Sequence, residues 1–230
     1  RHYTKALEID PRDADSHDFL AHLLEKKGDV DAAIHHYTKT LEIDPHDAES
    51  HFFLACLLKD TGDVEAAMRH YTKALEIDPR GTFHYFLARL LMMKSGEGEA
   101  ARRHFTKALE IDPRDAFSHY FLARLETKKG DADAALRHYT KALEIDPRAA
   151  WTHFCLARLL ESKGDVEAAR RHYAEALEIV QACQRGEETD LNPADSHFVL
   201  AKLLEKKGDV EAARRHYTKA GEIDPSIRRD

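Results

Sequence analysis

Apolar residues along the chain recur three and four positions apart, which is the spacing of one face of an amphipathic helix. Residues 48–81 show the pattern clearly, with one apolar stripe before Gly62 and another after it. The two stripes contain Phe53, Leu54, Leu57 and Leu58, and then Ala67, Tyr71, Ala74 and Leu75. Asp63 follows the glycine as a candidate N-cap, and Pro79 closes the segment. The pattern predicts a helix, a glycine turn and a second helix.

This helix pair repeats along the chain in steps of 34 residues, except for a last step of 44. The string His-Tyr-Thr-Lys or a close variant begins at His2, His36, His70, His104, His138, His172 and His216. The turn glycines keep the same spacing at Gly28, Gly62, Gly96, Gly130, Gly164 and Gly208. Because each pair exposes apolar side chains on both flanks, it can bury them only against neighbouring copies of itself. The repeats therefore predict an all-α solenoid.

The period divides residues 1–230 into a single array. A partial repeat with only its second helix occupies residues 1–13. The complete repeats occupy residues 14–47, 48–81, 82–115, 116–149, 150–193 and 194–230. The chain looks cut from a longer array, because it enters in the middle of a second helix and carries no polar capping helix at its end.

Two repeats depart from the common length. The repeat at 82–115 loses a residue near Gly81 and regains one within residues 92–95, so we expect its first helix to start and end late. The repeat at 150–193 carries ten extra residues within the stretch 180–191. The simplest interpretation extends the preceding helix to Arg185, stops it at Gly186 and restarts the chain at Asn192. A lid or partner-binding prong is the alternative.

Composition and charge exclude several classes of protein. The chain has 35 basic and 42 acidic residues, a net charge of -7, and no apolar run near 18 residues. A membrane span is excluded, and nucleic-acid binding is disfavoured because the net charge has the wrong sign for neutralising phosphates. The three cysteines, Cys56, Cys155 and Cys183, are too few and too widely spaced for a disulfide framework or a zinc knuckle. A reducing, cytoplasmic location fits this usage.

No motif for catalysis or cofactor binding is present, so we expect no enzyme activity, no cofactor and no metal site. Sixteen histidines are unusual for 230 residues, but thirteen of them fall in two repeat columns. One column precedes the second-helix aromatic, and the other lies in the first helices at His17, His51, His84, His119, His153 and His197. If the first-helix histidines are packed in neutral form, protonation below about pH 6 should loosen many interfaces together.

Three further columns complete the repeat, and together they resemble the tetratricopeptide repeat family over essentially the whole chain. They are a small-residue column, an aromatic column and a leucine followed by alanine, seen for example at Ala67, Tyr71 and Leu54. The resemblance implies a right-handed superhelix of antiparallel helix pairs whose first helices line a concave side. It also implies a protein-protein interaction scaffold. One departure is consistent, since the first-helix histidines stand where the family usually has tryptophan.

On the concave side implied by the resemblance, aromatic residues lie one helical turn before cationic ones. The candidate peptide-binding residues are Phe52, Tyr85, Arg89, Phe117, Tyr120, Arg124, Trp151, Phe154, Arg158, Phe198 and Lys202. The first two repeats are acidic instead, with Asp15, Asp18, Glu25 and Glu49. Aromatic anchors beside arginine are typical of binding hot spots, so we expect a protein or peptide partner with acidic and apolar side chains. The alternative is that the aromatics pack between neighbouring first helices, with arginine stems covering them and arginine heads paired to acids such as Glu161.

Two other functions compete with a peptide-binding scaffold. One is a structural module that self-assembles end to end through its open ends. The other is an RNA-binding helical repeat, which the strict 34-residue spacing and the acidic balance disfavour. The carboxylate clamp of co-chaperone members is also unexpected, because the chain contains a single asparagine, Asn192. Glu126 replaces leucine in its column, and we expect Lys128 or Lys129 to neutralise it without any functional role.

Overall fold

The computed structural model describes residues 2–187 and 192–224, and all the regular structure in these ranges is α-helical. The chain divides into two compact units, Arg1–Pro113 and Arg114–Asp230. The first unit contains α1 (His2–Ile9), α2 (Ala14–Lys26), α3 (Val30–Ile43), α4 (Ala48–Asp60), α5 (Val64–Ile77), α6 (Gly81–Met93) and α7 (Gly98–Ile111). The second contains α8 (Ala116–Lys129), α9 (Ala132–Ile145), α10 (Ala150–Ser162), α11 (Val166–Gln184), α12 (Pro193–Lys207) and α13 (Val210–Ile223). The predicted all-α class is confirmed.

Helices that are neighbours in sequence pack on one another within each unit. In the first unit, the pairs α2–α3, α4–α5 and α6–α7 form the repeats, and α3 also contacts α4 while α5 contacts α6. In the second unit, α8–α9, α10–α11 and α12–α13 are the corresponding pairs. There the first helices α8, α10 and α12 also contact one another in order. Each unit is therefore a stack of helix pairs, as a solenoid requires.

The turn inside each repeat explains why glycine and aspartate recur there. Gly62 has a φ of 91°, a left-handed conformation that glycine adopts without a steric penalty. Asp63 then caps the second helix, because its side chain accepts a hydrogen bond from the backbone N–H of Ala66. The same cap geometry starts α3, α9, α11 and α13.

The small-residue and aromatic columns form the core between the two helices of a repeat. Ala33, Ala67, Ala101 and Ala135 have no exposed surface. The aromatic residues four positions later are equally buried in the first three complete repeats, at Tyr37, Tyr71 and Phe105. Small residues let the helices approach closely, and the large ring then fills the space one turn further along.

The expected shift of the first helix in the shortened repeat is wrong. Helix α6 begins at Gly81 and ends at Met93, in register with its own leucine column. The missing residue is instead taken from the turn, where Arg80 occupies the N-cap position without a side-chain hydrogen bond. A Cβ at Gly81 would lie 3.3 Å from the carbonyl oxygen of Ala108, so the shorter turn brings α6 close to α7.

The prediction for the longer repeat is confirmed at both ends. Helix α11 continues to Gln184, Gly186 follows with a φ of 76°, and Asn192 caps α12 with Pro193 in its first turn. The extension is packed, because Val180 is fully buried in a cluster with Val199 and other residues of α12. Residues 188–191, on which the prong alternative partly falls, lie outside the described residues.

Candidate protein-interaction site

The predicted aromatic and cationic side chains lie on the first helices of each unit. In the first unit they are carried by α4 and α6, and in the second unit by α8, α10 and α12. Residues three, four and seven positions apart share one helix face, so α6, α8, α10 and α12 each present an aromatic residue one turn before a cation, whereas Cys56 follows Phe52 on α4. The burial of these side chains differs strongly from one helix to the next.

In the first unit, the two aromatic candidates are half-buried and pack on their neighbours. Phe52 stacks on Phe83 with ring centroids 4.8 Å apart and meets Phe86 edge-on at 5.1 Å. Tyr85 also packs edge-on against Phe86. The guanidinium carbon of Arg89 lies 5.5 Å from the Tyr85 ring, so this exposed cation covers the aromatic surface.

In the second unit, the aromatic candidates range from buried to exposed. Tyr120 and Phe154 are only 7% and 4% exposed and belong to the core of the unit. Trp151 is half-buried between Phe154 at 5.4 Å and Phe198 at 5.5 Å. Phe117 is 65% exposed. Phe117 and parts of the Trp151 and Phe198 rings therefore provide accessible apolar surface on this face.

The cationic candidates of the second unit stand above these rings. Arg124 lies 5.7 Å from the Tyr120 ring, and the Lys202 ammonium lies 5.4 Å from the Phe198 ring. Arg158 is exposed. The alternative interpretation predicted that cationic side chains cover the aromatic rings, and Arg124 and Lys202 do so here. Its charge pairing differs, because Glu161 forms its ion pair with Lys206, at 2.6 Å.

A first cleft of about 310 Å³ opens on this face of the second unit, and we call it the cationic cleft. Arg124 and Lys128 of α8 contribute two positive charges to it, and Arg158 of α10 contributes a third. None of the residues that line it carries a carboxylate. They are Arg124, Thr127, Lys128, Tyr139, Cys155, Arg158, Leu159 and Ser162.

A second cleft of about 360 Å³ shares Arg158 with the first, and we call it the mixed cleft. It contains two acidic groups, Glu161 and Glu205, together with three cations. Tyr173 donates a hydrogen bond to Glu161 at 3.2 Å, and Tyr217 donates one to Glu205 at 2.8 Å. Its lining residues are Phe154, Arg158, Glu161, Tyr173, Lys202, Glu205 and Lys206.

The charge states of the two clefts follow from their surroundings. A hydrogen bond from Lys206 lowers the pKa of Glu161, so this carboxylate stays ionised and offsets positive charge in the mixed cleft. Burial raises the pKa of the Cys155 thiol on the floor of the cationic cleft. This thiol is therefore protonated at neutral pH and is not an activated nucleophile.

The acidic residues predicted at the first two repeats are engaged with their neighbours. The Tyr37 hydroxyl donates a hydrogen bond to Glu25 at 3.1 Å and lies 2.8 Å from Nδ1 of His22. Asp18 accepts a hydrogen bond from Ser50, and burial raises the pKa of this carboxyl. The first-helix face of α2 thus carries two carboxyl groups, at the positions equivalent to Tyr120 and Thr127 of α8.

Several cleft residues were not singled out from the sequence. Three of them lie four positions after a predicted cation, namely Lys128, Ser162 and Lys206. The helical spacing in the sequence could therefore have placed them on the same helix face. Two further cleft residues, Tyr139 and Tyr173, belong to the second-helix aromatic column. Because every repeat contains this column, the sequence predicts only a packing role for it. Their hydroxyl ends reach the first-helix face of the unit.

Other kinds of site have no support in the described residues. Within residues 2–187 and 192–224, no group of three or more potential ligands could hold a metal ion. No helix in these ranges has the length and apolar character that crossing a bilayer requires.

Comparison with family models gives three matches along the chain. A tetratricopeptide repeat model matches residues 24–90, and a second one matches residues 148–226. A third, described as a TPR repeat, matches residues 123–164. A search of the curated proteins gives no significant match.

Solved structures of repeat proteins share the fold. A crystal structure of MamA has a TM-score of 0.66 and 25% identity, and the match covers 72% of this chain and 96% of that chain. YrrB, described as a TPR protein with an unusual peptide-binding site, has a TM-score of 0.66, 23% identity and coverage of 78% and 92%. A tetratricopeptide repeat protein from Parabacteroides merdae has a TM-score of 0.74, 19% identity and coverage of 96% and 84%. The repeat columns, the stacked helix pairs and the matching family models together establish that the chain belongs to the tetratricopeptide repeat family.

Proposed function

We propose that the protein is a non-catalytic interaction scaffold whose first helices bind a peptide or a partner segment. The observation that carries this proposal is the cationic cleft, where Arg124, Lys128 and Arg158 face a space of about 310 Å³ without a lining carboxylate. A partner that supplies acidic side chains would complete the charge balance there. The peptide-binding site named for the structurally similar YrrB supports a role of the same kind.

The predicted residues divide into three roles in this proposal. Arg124 and Arg158 bind acidic side chains of the partner, and Lys128 joins them although the sequence did not single it out. Phe117 and Trp151 supply apolar contact, because they keep accessible surface. Tyr120 and Phe154 support the face from below rather than touching the partner, since both are buried. On the separate face of the first unit, the corresponding residues are Phe52, Tyr85 and Arg89, and at the end of the second unit they are Phe198 and Lys202.

A peptide array tests the scaffold and its charge preference. The probes are immobilised peptides that contain Asp or Glu beside Leu or Phe, matched to the same peptides with Lys in place of the acids. We expect retention on the acidic peptides alone. The triple variant Arg89→Glu, Arg124→Glu and Arg158→Glu should lose most of it, because charge reversal turns attraction into repulsion.

The matched control reverses three exposed arginines of the second helices, in the variant Arg103→Glu, Arg137→Glu and Arg171→Glu. It makes the same change in net charge and leaves the first-helix face intact. Equal loss in both triple variants would mean that only the net charge matters. Unchanged retention in the first variant would reject the assigned residues.

Self-assembly is the second candidate, and one observation favours it. Phe19 and Leu23 of α2 are 50% and 43% exposed, whereas Leu57 of α4, at the position equivalent to Leu23, is only 5% exposed. A second copy of the chain could cover this apolar surface. No comparable observation favours the RNA-binding alternative. A filter-binding assay in which the protein retains no RNA at low salt would exclude it.

We also propose a reducing, cytoplasmic setting. Cys56 and Cys155 are free thiols in the structure. Secreted proteins seldom keep cysteines in the thiol form, because oxidation links or modifies them.

A further inference from the structure

Every complete repeat contains a pair of histidines in direct contact, one from its first helix and one from its second. The two Nδ1 atoms are 2.8 to 3.0 Å apart in all six pairs. The pairs are His17–His36, His51–His70, His84–His104, His119–His138, His153–His172 and His197–His216. Each pair joins the two helices inside a repeat rather than two neighbouring repeats.

A third group defines the protonation of three of these pairs. In three repeats, Nε2 of the first-helix histidine lies 3.0 to 3.3 Å from a proline carbonyl, as in His51 with Pro45 and His153 with Pro147. A carbonyl oxygen only accepts, so this Nε2 carries the proton. In the neutral ring Nδ1 is then an acceptor, and the second-helix histidine must donate its own Nδ1 proton.

This arrangement limits how many protons a pair can hold. A proton added to Nε2 of the second-helix histidine leaves the hydrogen bond intact but places a charge in a half-buried position. A further proton on Nδ1 of the first-helix histidine would point two N–H donors at each other. Neither donor would then have an acceptor within the pair. A doubly protonated pair is therefore incompatible with the closed helix pair.

The charges around the pairs of the first unit are mostly cationic. Burial, together with the charges of His51 and Arg69, lowers the pKa of His70 to about 4. Burial and the charge of His104 likewise lower the pKa of His84 to about 4. The other charged groups that face these pairs are Asp13 and His35 beside His17–His36, Asp47, Lys73 and His46 beside His51, and Arg103 and Lys107 beside His84–His104.

The second unit shows the same environment. Burial lowers the pKa of His138, His172 and His216, and the first-helix partner lowers each of them further. The facing charged groups are Arg137 beside His138, Arg171 and the opposing Glu175 beside His172, and Arg215 and Lys219 beside His197–His216. The cations come from the exposed face of the second helices, which is built alike in each repeat.

We propose that the six histidine pairs form an acid-sensing device in which each pair takes up a second proton only when its two helices separate. Because every complete repeat carries the same pair, a fall in pH acts on all the repeats at once. The pairs hold each repeat closed at neutral pH and allow it to open in acid.

The direction of the effect follows from the lowered pKa values. A histidine with a folded-state pKa below its unfolded value of about 6.5 stabilises the fold fully above that pH. This stabilisation is lost as the pH falls from about 6.5 toward about 4 for His70 and His84. For each proton absorbed on unfolding, the unfolding equilibrium constant rises about tenfold per pH unit.

Unfolding measured between pH 8 and 5.5 tests the proposal, because most carboxylates stay ionised in this range. The signal is circular dichroism at 222 nm during thermal unfolding of the full chain. The variant His70→Gln, His138→Gln and His172→Gln keeps a donor to the first-helix ring but removes three titrating groups. We expect the midpoint of the wild-type chain to fall with pH, and the variant to lose about half of that fall.

The control variant His2→Gln removes an exposed histidine that lies outside the pairs and is not among the charged groups that face them. It should keep the wild-type pH dependence. A wild-type midpoint that does not change with pH would overturn the proposal, and so would equal pH dependence in both variants.

Histidine ¹⁵N NMR of the wild-type chain provides a test that needs no variant. At pH 7.5 the paired second-helix rings should show the Nδ1–H tautomer and the first-helix rings the Nε2–H tautomer. Spectra in which the second-helix rings are Nε2–H tautomers that titrate near pH 6.5 would also overturn the proposal.

Discussion

Glu126 shows how one position in a repeat column can differ in energy from its equivalents. The other complete repeats have leucine there, at Leu24, Leu58, Leu91, Leu160 and Leu204. Glu126 is only 8% exposed, so it occupies the same buried position. The expected neutralisation by Lys128 or Lys129 is wrong, because within residues 2–187 and 192–224 its side chain forms no ion pair or hydrogen bond. Its carboxylate oxygens are not among the buried unpartnered atoms, so they keep contact with solvent, and the position gains less from burial than a leucine would.

Replacing Glu126 with leucine should therefore raise the free energy of unfolding by about 1–2 kcal/mol, from the apolar surface that the leucine buries. Urea unfolding at pH 7.5 measures the change. Glu178→Leu is the matched control, since Glu178 is exposed on α11 and should give no gain. A less stable Glu126→Leu chain would show that the carboxylate has a role in α8.

Substitutions at Phe117 and Tyr120 of α8 distinguish a residue that contributes to binding from one that contributes to stability. Phe117 is 65% exposed and Tyr120 is 7% exposed, although both belong to the aromatic positions predicted to bind. Phe117→Ala should change stability by less than about 0.5 kcal/mol and weaken retention on the acidic peptides. Tyr120→Ala should cost about 3 kcal/mol of stability, because it leaves a cavity in the core. Equal stability of the two variants in urea would contradict the burial difference.

At the scale of the element, capping explains which helix boundaries the sequence predicted. Asp13, Asp47 and Asp115 cap three of the first helices with their side chains. Where the repeat lost a residue, the capping aspartate went with it, and Arg80 took its place without a side-chain cap. The sequence pattern did not indicate that the deletion would fall in the turn, since a one-residue gap can be absorbed on either side of a helix start.

Helix α10 offers a direct test of capping. Ala149 stands at its N-cap without a side-chain hydrogen bond, at φ -73° and ψ 84°. These angles are close to those of Asp115, which caps α8. Ala149→Asp should stabilise the chain by about 1 kcal/mol, and Asp115→Ala should destabilise it by a similar amount. Thermal unfolding of both variants measures this, and a destabilising Ala149→Asp would contradict the shared cap geometry.

At the scale of the whole molecule, charge is distributed unevenly although the net charge is -7. The face of α2 carries Asp18 and Glu25, whereas the cationic cleft of the second unit carries three cations without a lining carboxylate. An acidic partner is therefore expected to bind to the second unit first. The basic and acidic totals alone could not show this separation.

The mass in solution distinguishes the scaffold from the self-assembling module. A scaffold without its partner should sediment as a single species near 26.2 kDa at every concentration. Association through the apolar surface of α2 would raise the mass with concentration at constant ionic strength, and Phe19→Ser with Leu23→Ser would then restore the monomer. A mass that rises equally in the wild type and the double variant would place self-association elsewhere.

Sequence patterns alone predicted the helix pairs, their order and most of their boundaries. These depend on local signals that recur every 34 residues, namely apolar spacing, turn glycines and capping aspartates. The packing of the helices was needed to show which of the predicted aromatic residues are buried, such as Tyr120, and which are accessible, such as Phe117. It also decided that the two histidine columns meet as pairs within each repeat. Burial and pairing depend on which side chains the neighbouring helices bring within reach, and a single helix does not contain that information.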